Sequence, residues 1–320
     1  MKHALVTGGA GFIGSHLIDR LLEEGWAVTN IDNFDPFYDP AIKRQNITGH
    51  LNYPHYTLLE LDIRNFAALD AALERQRAAY DVIVHLAAKA GVRPSIDDPI
   101  GYHMVNVIGT QHMLEIARKY RIQQFIFASS SSVYGVNPNV PWREDDCVLR
   151  PISPYASTKV SGELLGHVYS HLYGIRFIAL RFFTVYGPRQ RPDLAIHKFA
   201  RLMLEGKPIP IYGDGSTRRD YTYIDDISEG VRRAMDYEAS SYEIINLGNN
   251  QTVTLNEMVE TLEMALSVKV ARQYLSEQPG DVPATWADVN RAKRILHFRP
   301  KTPFEEGVKL FVEWLRANVT

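Results

Sequence analysis

The glycine-rich turn near the N-terminus restricts the fold of this chain more than any other feature. Gly8, Gly11 and Gly14 stand between a short apolar run at 3–7 and an amphipathic stretch that ends at Gly25. Glycine permits a tight turn and lets an anion approach the backbone N–H groups at the N-terminus of a helix. The order of strand, glycine turn and helix therefore predicts the opening of a parallel sheet, with a site for the phosphates of a nucleotide.

A carboxylate follows at the end of the next predicted strand. Asp32 closes the apolar run at 27–32. A carboxylate in this place can accept hydrogen bonds from the ribose diol of a dinucleotide and would repel a 2′-phosphate, which favours NAD over NADP. The glycine pattern alone is weak evidence, and an aspartate that only closes a turn is the alternative interpretation. Together the two signals predict an NAD site.

Apolar strands and helical stretches continue to alternate along the first half of the chain. Helices are predicted at 66–79 and 101–120, and buried strands at 81–88 and 124–129. Continuous apolar strands between helices indicate a parallel sheet that is covered on both faces. We therefore predict an α/β fold with a doubly wound parallel sheet of the Rossmann type.

The composition and the predicted element lengths of the sequence change after Pro188. Proline and glycine become frequent, and the predicted strands are short and interrupted by helical pieces. We expect residues 1–180 to form the NAD-binding domain and residues 181–320 to form mainly a smaller C-terminal α/β lobe that binds the substrate. Whether the chain crosses between the two lobes more than once is left open.

The overall composition excludes several classes of partner. The 320 residues carry 35 basic and 37 acidic side chains, so no strong positive field attracts nucleic acid or an anionic membrane. Cys147 is the single cysteine, which fits a reducing compartment. No apolar run approaches the roughly 18 residues of a membrane span, and no signal peptide is evident. The eleven histidines show no metal-ligand spacing, so we expect a cytoplasmic protein without a metal.

Four consecutive serines, Ser129 to Ser132, follow the predicted strand at 124–129. The carboxyl ends of strands in open α/β sheets are where ligands bind. A disordered polar patch would not normally follow Phe-Ile-Phe, so we expect these hydroxyls to face a binding site.

A tyrosine and a lysine four residues apart stand on a later predicted helix. This helix is expected to begin after Ser153 as N-cap and to end at Gly174, which places Tyr155 and Lys159 on one face. A phenol titrates near 10, too high for a base at neutral pH. An ammonium about 4 Å away stabilises the phenolate by roughly 1–4 kcal/mol, so the pair can take a proton from a sugar hydroxyl.

Seven segments resemble the extended short-chain dehydrogenase/reductase family, and within it the nucleotide-sugar epimerases. In order they are "TGGAGFIG", "HLAAKAGVRPS", "FASSSSVYG", "YASTK", "RFFTVYGPRQRPD", "RRDYTYIDDI" and "GDVPATWAD". They run over most of the chain, and the ordered set is far more specific than any one segment. The resemblance implies a Rossmann domain with tightly held NAD, a lobe for a UDP-sugar, and a homodimer that pairs helices 101–120 and 154–173.

The resemblance also assigns roles to individual residues. Ser130 corresponds to the residue that hydrogen-bonds the 4-hydroxyl of the sugar, Tyr155 to the base and Lys159 to its electrostatic partner. The positions expected to bind NAD are Gly8, Gly11, Phe12, Ile13, Gly14, Asp32, Asn33, Asp62, Ile63, Leu86, Ala87, Ala88, Lys89, Asn106, Tyr155 and Lys159. The positions expected to bind the UDP-sugar are Ser131, Ser132, Thr184, Arg191, Arg219, Gln278 and Asp281.

Two of the serines bear on the type of reaction. The 4,6-dehydratases of the family typically have an Asp-Glu pair where this chain has Ser131 and Ser132. A hydroxyl of ordinary pKa cannot do the work of those acids, so elimination is disfavoured. UDP-glucuronate decarboxylases usually have a glutamate in this stretch, which the serines do not supply. The resemblance therefore favours oxidation and re-reduction at C4.

Thr184 bears on the sugar. It stands where hexose epimerases usually have asparagine, and it resembles the residue of UDP-glucuronate 4-epimerases. A threonine hydroxyl can donate to a C6 carboxylate, although it can also satisfy local backbone. We expect conversion of UDP-glucuronate to UDP-galacturonate. The alternatives are 4-epimerisation of UDP-glucose or UDP-N-acetylglucosamine, then decarboxylation of UDP-glucuronate, and lastly an NAD-sensing regulator without catalysis.

Overall fold

The computed structural model describes residues 1–147, 150–276 and 282–318. Within them the strands are β1 (His3–Thr7), β2 (Ala27–Asp32), β3 (Tyr56–Glu60), β4 (Val82–His85), β5 (Gln124–Ser130), β6 (Arg176–Phe182), β7 (Thr184–Tyr186), β8 (Ile209–Tyr212), β9 (Arg218–Arg219), β10 (Tyr221–Tyr223), β11 (Tyr242–Leu247), β12 (Val253–Thr254) and β13 (Arg272–Leu275). The helices are α1 (Phe12–Glu23), α2 (Pro40–Asn46), α3 (Phe66–Gln76), α4 (Val92–Asp97), α5 (Pro99–His103), α6 (Gly109–Lys119), α7 (Pro154–Tyr173), α8 (Ala195–Leu204), α9 (Ile224–Met235), α10 (Leu255–Leu266), α11 (Asn290–Ile295) and α12 (Phe304–Asn318). A π-helical segment at Met104–Ile108 joins α5 to α6, and 3-10 turns lie at His50–Asn52 and Ser131–Tyr134.

One sheet of seven strands organises the molecule. Its order is β3-β2-β1-β4-β5-β6-β11, and every neighbouring pair is parallel. The strands are added outward from β1 in both directions, which is a doubly wound arrangement. Because all the strands run the same way, their carboxyl ends meet at one edge. The predicted Rossmann-type α/β fold is confirmed.

The alternation of side chains along the strands builds a core on each face of the sheet. Ala4 and Val6 of β1 belong to one buried cluster, together with apolar residues of α1 and α9. Leu5 belongs to the other, together with apolar residues of α3 and α6. Both faces of the sheet are therefore covered by helices, as the continuous apolar strands predicted.

Local sequence signals fix the ends of α7. The Ser153 hydroxyl accepts a hydrogen bond from the backbone N–H of Ala156 at 3.1 Å, and Pro154 occupies the first turn. The helix stops at Gly174, whose φ of 68° is left-handed. The predicted N-cap and stop are confirmed, so Tyr155 lies in the first turn of the helix, next to the carboxyl end of the sheet.

The chain returns to the central sheet after residue 180. β11 pairs with β6 along its whole length, from Tyr242 opposite Phe177 to Leu247 opposite Phe182. Helix α9 lies on the same face of the sheet as α1 and packs against it. Residues from the second half of the sequence therefore complete the edge of the sheet.

The remaining elements of the second half form small paired strands and helices beside that edge. The pairs are β7 with β10, β9 with β12, and β8 with β13. Asp220, between β9 and β10, is fully buried. Its carboxylate accepts N–H groups from Asn249 at 2.7 Å and Ala287 at 3.1 Å and so links these segments to the paired strands. Across the described ranges, no helix has both the length and the apolar character that crossing a membrane requires.

Candidate active site

A cavity of about 530 Å³ lies at the carboxyl edge of the sheet. It gathers loops that follow β1, β2, β4, β5 and β6, as expected for an open α/β sheet. The predicted residues that line it are Gly8, Gly11, Phe12, Ile13, Gly14, Asp32, Asn33, Asp62, Ile63, Leu86, Ala87, Ala88, Lys89, Ser130, Ser131, Ser132, Tyr155, Lys159, Thr184 and Arg191. The structure thus brings residues from the two halves of the chain to one cavity.

The glycine turn has the shape of a phosphate cradle. A Cβ at Gly14 would stand 2.3 Å from the carbonyl oxygen of Gly8, and one at Gly8 would stand 2.7 Å from the backbone nitrogen of Ala87. At Gly11, by contrast, the nearest atom would be 3.2 Å away and the rest of the space is open. Gly11 is also the N-cap of α1 and brings no side chain to the helix N-terminus. A pyrophosphate fits against these backbone N–H groups.

Asp32 lies at the end of β2 and lines the same cavity. Its carboxylate accepts N–H groups from Phe34 at 2.9 Å and Ala10 at 3.0 Å. Burial raises the pKa of Asp32, and the two backbone donors oppose that rise. Each carboxylate oxygen keeps a free lone pair, so the residue suits a ribose diol.

Asp62 and Asn33 form a polar border beside Asp32. The Asn33 amide donates to Asp62 at 3.0 Å, and the Arg64 guanidinium donates to the same carboxylate at 2.7 Å. These hydrogen bonds lower the pKa of Asp62 to about 2. The carboxylate of Asp62 is therefore ionised at neutral pH.

Tyr155 and Ser130 meet at the inner end of the cavity. Both side chains line the cavity, and the Ser130 hydroxyl lowers the pKa of Tyr155, as does the charge of Arg191. Burial has the larger effect, so the net shift of the Tyr155 pKa is upward. We expected the ammonium of Lys159 to lower this pKa, and in the structure the groups that do so are Ser130 and Arg191.

Lys159 is held by the strand rather than by the phenol. Its Nζ donates to the carbonyl oxygen of Ala128 at 2.7 Å and lies 5.9 Å from the centre of the Tyr155 ring. Burial lowers the pKa of Lys159 to about 7, and the negative charge of Glu163 opposes that fall. The ammonium thus lies on the same side of the cavity as the phenol but is close to losing its proton at neutral pH.

Asn106 does not line the cavity, although it was expected to bind NAD directly. It is buried in the π-helical segment, where its side chain accepts the N–H of Lys89 at 2.8 Å and donates to the carbonyl oxygen of Lys89 at 2.9 Å. It also donates to Thr158 at 3.0 Å. Asn106 therefore fixes the loop that lines the cavity and does not itself face it.

A second cavity, of about 380 Å³, adjoins the first. Thr184, Asp193 and Leu194 line both cavities, whereas Arg219 lines only the second. Arg93 was assigned no role from its motif, and it lines the second cavity with its guanidinium 4.9 Å from the centre of the Tyr212 ring. Gln278 and Asp281 lie outside the described residues.

Residues that sequence reasoning missed lie along the rim of the larger cavity. Phe37, Tyr38 and Lys43 all line it, and the ring of Phe37 lies 4.9 Å from the Arg191 guanidinium. The Lys43 Nζ donates to the carbonyl oxygen of Asp35 at 2.7 Å. These residues stand in a loop and a short helix with no recurring pattern, so nothing in the local sequence marks them.

The fold and the site define a nucleotide-dependent α/β enzyme, and comparison with known proteins gives the family. Residues 4–248 match the pattern of the NAD dependent epimerase/dehydratase family. The chain belongs to this family, which confirms the resemblance noted in its motifs.

Individual relatives extend the comparison to the full length. The chain is 41% identical to the UDP-glucuronate 4-epimerase of Thermodesulfobacterium geofontis over 100% of this chain and 98% of that protein. It is similar to the crystal structure of the UDP-glucuronic acid 4-epimerase of Bacillus cereus with UDP-glucuronic acid and NAD, at 37% identity and a TM-score of 0.92, covering 98% of this chain and 99% of that one. The UDP-glucose 4-epimerase of Thermotoga maritima with UDP-glucose has 33% identity and a TM-score of 0.91, covering 99% of this chain and 100% of that one.

Proposed function

We propose that this protein is an NAD-dependent 4-epimerase that interconverts UDP-glucuronate and UDP-galacturonate. The observation that carries the proposal is the end of β5, where Ser130 lines one cavity together with Tyr155 and is followed by the neutral hydroxyls of Ser131 and Ser132. The relatives support the choice of sugar, because full-length similarity is found to proteins named UDP-glucuronate 4-epimerase.

Bound NAD supplies the acceptor for the hydride of C4 and the donor that returns it. The residues of the protein itself carry out the proton transfer. Tyr155, once ionised, accepts the proton of the 4-hydroxyl and becomes the neutral phenol; before this transfer the hydroxyl of Ser130 and the charge of Arg191 favour the phenolate form. Lys159, when protonated, adds a positive charge on the same side of the cavity. In the return step Tyr155 gives the proton back to the oxygen of the 4-keto sugar.

The two cavities suit the two ends of a UDP-sugar. We propose that the diphosphate lies between Arg191 in the first cavity and Arg219 in the second, because a guanidinium pairs well with phosphate oxygens. The sugar then faces Tyr155, and the uridine occupies the second cavity. In this arrangement residues 1–180, completed by β11, form the NAD-binding unit, and most of 181–320 forms the substrate lobe.

The decisive experiment offers the purified protein each candidate UDP-sugar without added NAD and separates the products by chromatography. We expect UDP-glucuronate to be converted to UDP-galacturonate by the cofactor that the protein retains. UDP-glucose and UDP-N-acetylglucosamine are the comparison substrates. A protein that epimerises either of these and leaves the uronate unchanged contradicts the proposed sugar, and one that releases a UDP-pentose contradicts the proposed reaction.

Thr184 is the proposed contact for the carboxylate of the sugar. It stands at the junction of the two cavities, at the start of β7. A 4-keto uronate is a β-keto acid that can lose CO2, so an epimerase must hold the carboxylate away from the orientation that favours bond cleavage. Neutral donors can do so without adding an acid.

Replacing Thr184 by valine keeps the shape and removes this hydroxyl. We expect kcat/KM for UDP-glucuronate to fall roughly 10- to 100-fold, the usual effect of losing a hydrogen bond to a charged group, while any activity on UDP-glucose is retained. Steady-state kinetics on the two substrates give the ratio, and product analysis shows any pentose released. An unchanged ratio with no pentose contradicts this role for Thr184.

We also propose a cytoplasmic homodimer. Helix α7 packs against α5, and the two helices carry large exposed apolar side chains, including Ile100 at 77%, Leu164 at 57% and Leu172 at 60% exposure. Apolar residues so exposed on adjacent helices suit pairing about a two-fold axis. Sedimentation of the purified protein as a single species of 36.3 kDa contradicts the dimer.

A further inference from the structure

Glu163 is a buried charged residue that the proposed chemistry does not use. It is only 3% exposed, and it lies on α7 with Tyr155 and Lys159. Residues spaced by four along a helix share one face, so the three side chains follow one another along the side of α7 that covers the sheet. A buried carboxylate is costly unless it is paired, which raises the question of what it does in this place.

The Glu163 carboxylate receives three hydrogen bonds from two neighbouring strands. Arg181 of β6 donates through Nε at 2.9 Å and through Nη2 at 2.8 Å, and Ser129 of β5 donates at 2.5 Å. Arg181 is itself 1% exposed, so the ion pair is shielded from water. The two strands therefore hold the carboxylate in a fixed orientation.

Ser129 connects this ion pair to the catalytic end of β5. The residue before it, Ala128, presents its carbonyl oxygen to the Lys159 Nζ at 2.7 Å, and the residue after it, Ser130, lines the cavity with Tyr155 and lowers the pKa of the phenol. The hydroxyl of Ser129 thus anchors the strand between the two positions that hold the lysine and the tyrosine.

The surroundings of Lys159 leave its charge poorly compensated without Glu163. The ammonium lies 5.1 Å from the centre of the Phe127 ring and is 4% exposed with the rest of the side chain. Burial lowers its pKa to about 7, and the charge of Glu163 acts in the opposite direction.

The other titratable groups that face Lys159 do not supply a negative charge. On α7 itself burial raises the pKa of Tyr155, which disfavours a negative charge on the phenol in the absence of substrate. On β4 the His85 ring is neutral, because burial lowers its pKa to about 3. Arg181 on β6 is positive and is paired with the Glu163 carboxylate at 2.8 Å.

We propose that Glu163 is a positioning residue for Tyr155 and Lys159, which anchors the end of β5 through Ser129 and supplies the charge that keeps the Lys159 ammonium protonated. The catalytic meaning of this role rests on the proposed function. The ionisation of Lys159 does not depend on the proposed function, and it can be measured without substrate.

The test is an NMR titration of the full-length protein labelled with [ε-¹³C]lysine, with the Lys159 signal assigned by its loss in Lys159→Met. We expect the titration midpoint of Lys159 to fall by about 1 pH unit or more in Glu163→Gln, because a nearby opposite charge is lost. Glu163→Asp, which keeps the charge, is expected to restore most of the midpoint.

A matched control separates this effect from general damage to the core. Glu144 is also a buried carboxylate, and its side chain accepts the N–H of Asn246 at 2.9 Å; Arg181 donates only to its backbone carbonyl, at 3.4 Å, which the substitution leaves in place. Glu144→Gln is expected to leave the midpoint of Lys159 unchanged. Should Glu163→Gln fail to fold because Arg181 loses its partner, the double variant Glu163→Gln/Arg181→Met removes both charges, and the same fall is expected.

Turnover gives a second, separate readout. In Glu163→Gln we expect the pH at which kcat begins to decline on the alkaline side to move down with the Lys159 midpoint, with KM little changed. Failure of the unaltered protein to act on UDP-glucuronate contradicts the proposed function, and the titration still decides the role of Glu163. A midpoint that stays constant in the Glu163 variants, or that falls equally in Glu144→Gln, overturns the inference.

Discussion

Replacing Tyr155 by phenylalanine is expected to lower the rate of epimerisation by roughly 100- to 10,000-fold, the usual contribution of a general acid–base group. The ionised side chain of Tyr155 is the group that accepts the proton of the 4-hydroxyl, and an aliphatic hydroxyl such as that of Ser130 is too weak an acid to replace it. Phenylalanine keeps the ring, which packs edge-on at 6.3 Å from Tyr102, so the fold is expected to survive. Initial rates with UDP-glucuronate, at a pH near 7, measure the loss.

A second tyrosine on the same helix provides the control. Tyr173 ends α7, is 45% exposed and does not line the cavity. Tyr173→Phe removes the same oxygen and is expected to leave the rate unchanged. Retention of NAD after gel filtration shows in each variant that the cofactor site is intact. If Tyr155→Phe keeps more than a tenth of the activity, Tyr155 is not the base.

The substitution Gly14→Ala is expected to disrupt the cofactor site. The new Cβ would stand 2.3 Å from the carbonyl oxygen of Gly8 and 2.7 Å from the Cα of Gly9. Both are backbone atoms of the turn, so the turn must shift rather than a flexible side chain. We expect a loss of roughly 1–3 kcal/mol in the free energy of unfolding, with NAD no longer retained. Thermal unfolding and the absorbance of released NAD measure the two effects.

Gly49 is the matched control for this change. A Cβ there meets nothing within 4 Å, and the φ of −64° suits any residue. Gly49→Ala is expected to be neutral or slightly stabilising, because alanine restricts the unfolded chain. A Gly14→Ala protein as stable as Gly49→Ala, and still carrying NAD, would falsify the assignment of the glycine turn to the cofactor.

Local features allowed much of the fold and of the cavity lining to be predicted. The apolar runs of β1 and β2, the glycines between β1 and α1, and the cap and stop of α7 are each contained in a few consecutive residues. Asp32 and Tyr155 were identified because their roles depend on a strand end and a helix face, which short-range spacing determines.

Features that depend on pairing between distant segments could not be predicted. Ser129 meets Arg181 because β5 and β6 are adjacent in a particular register, and only that register brings Glu163 between them. Asn106 holds the backbone of Lys89 across 17 residues of sequence, which no local pattern reveals. The net rise in the pKa of Tyr155 reflects how deeply the folded chain buries the phenol, and spacing along a helix carries no information on burial.

The position of β11 has a consequence for the synthesis of the protein. A nascent chain that has emerged from the ribosome as far as residue 180 has nearly completed β6, but the outer backbone groups of this strand have no partner until Tyr242–Leu247 follow. Such an open edge invites pairing with other chains. The edge of β6 is therefore covered only after the segment that forms much of the second cavity has been synthesised. A chain that terminates between residue 180 and Tyr242 leaves this edge open, and chaperones must then shield it.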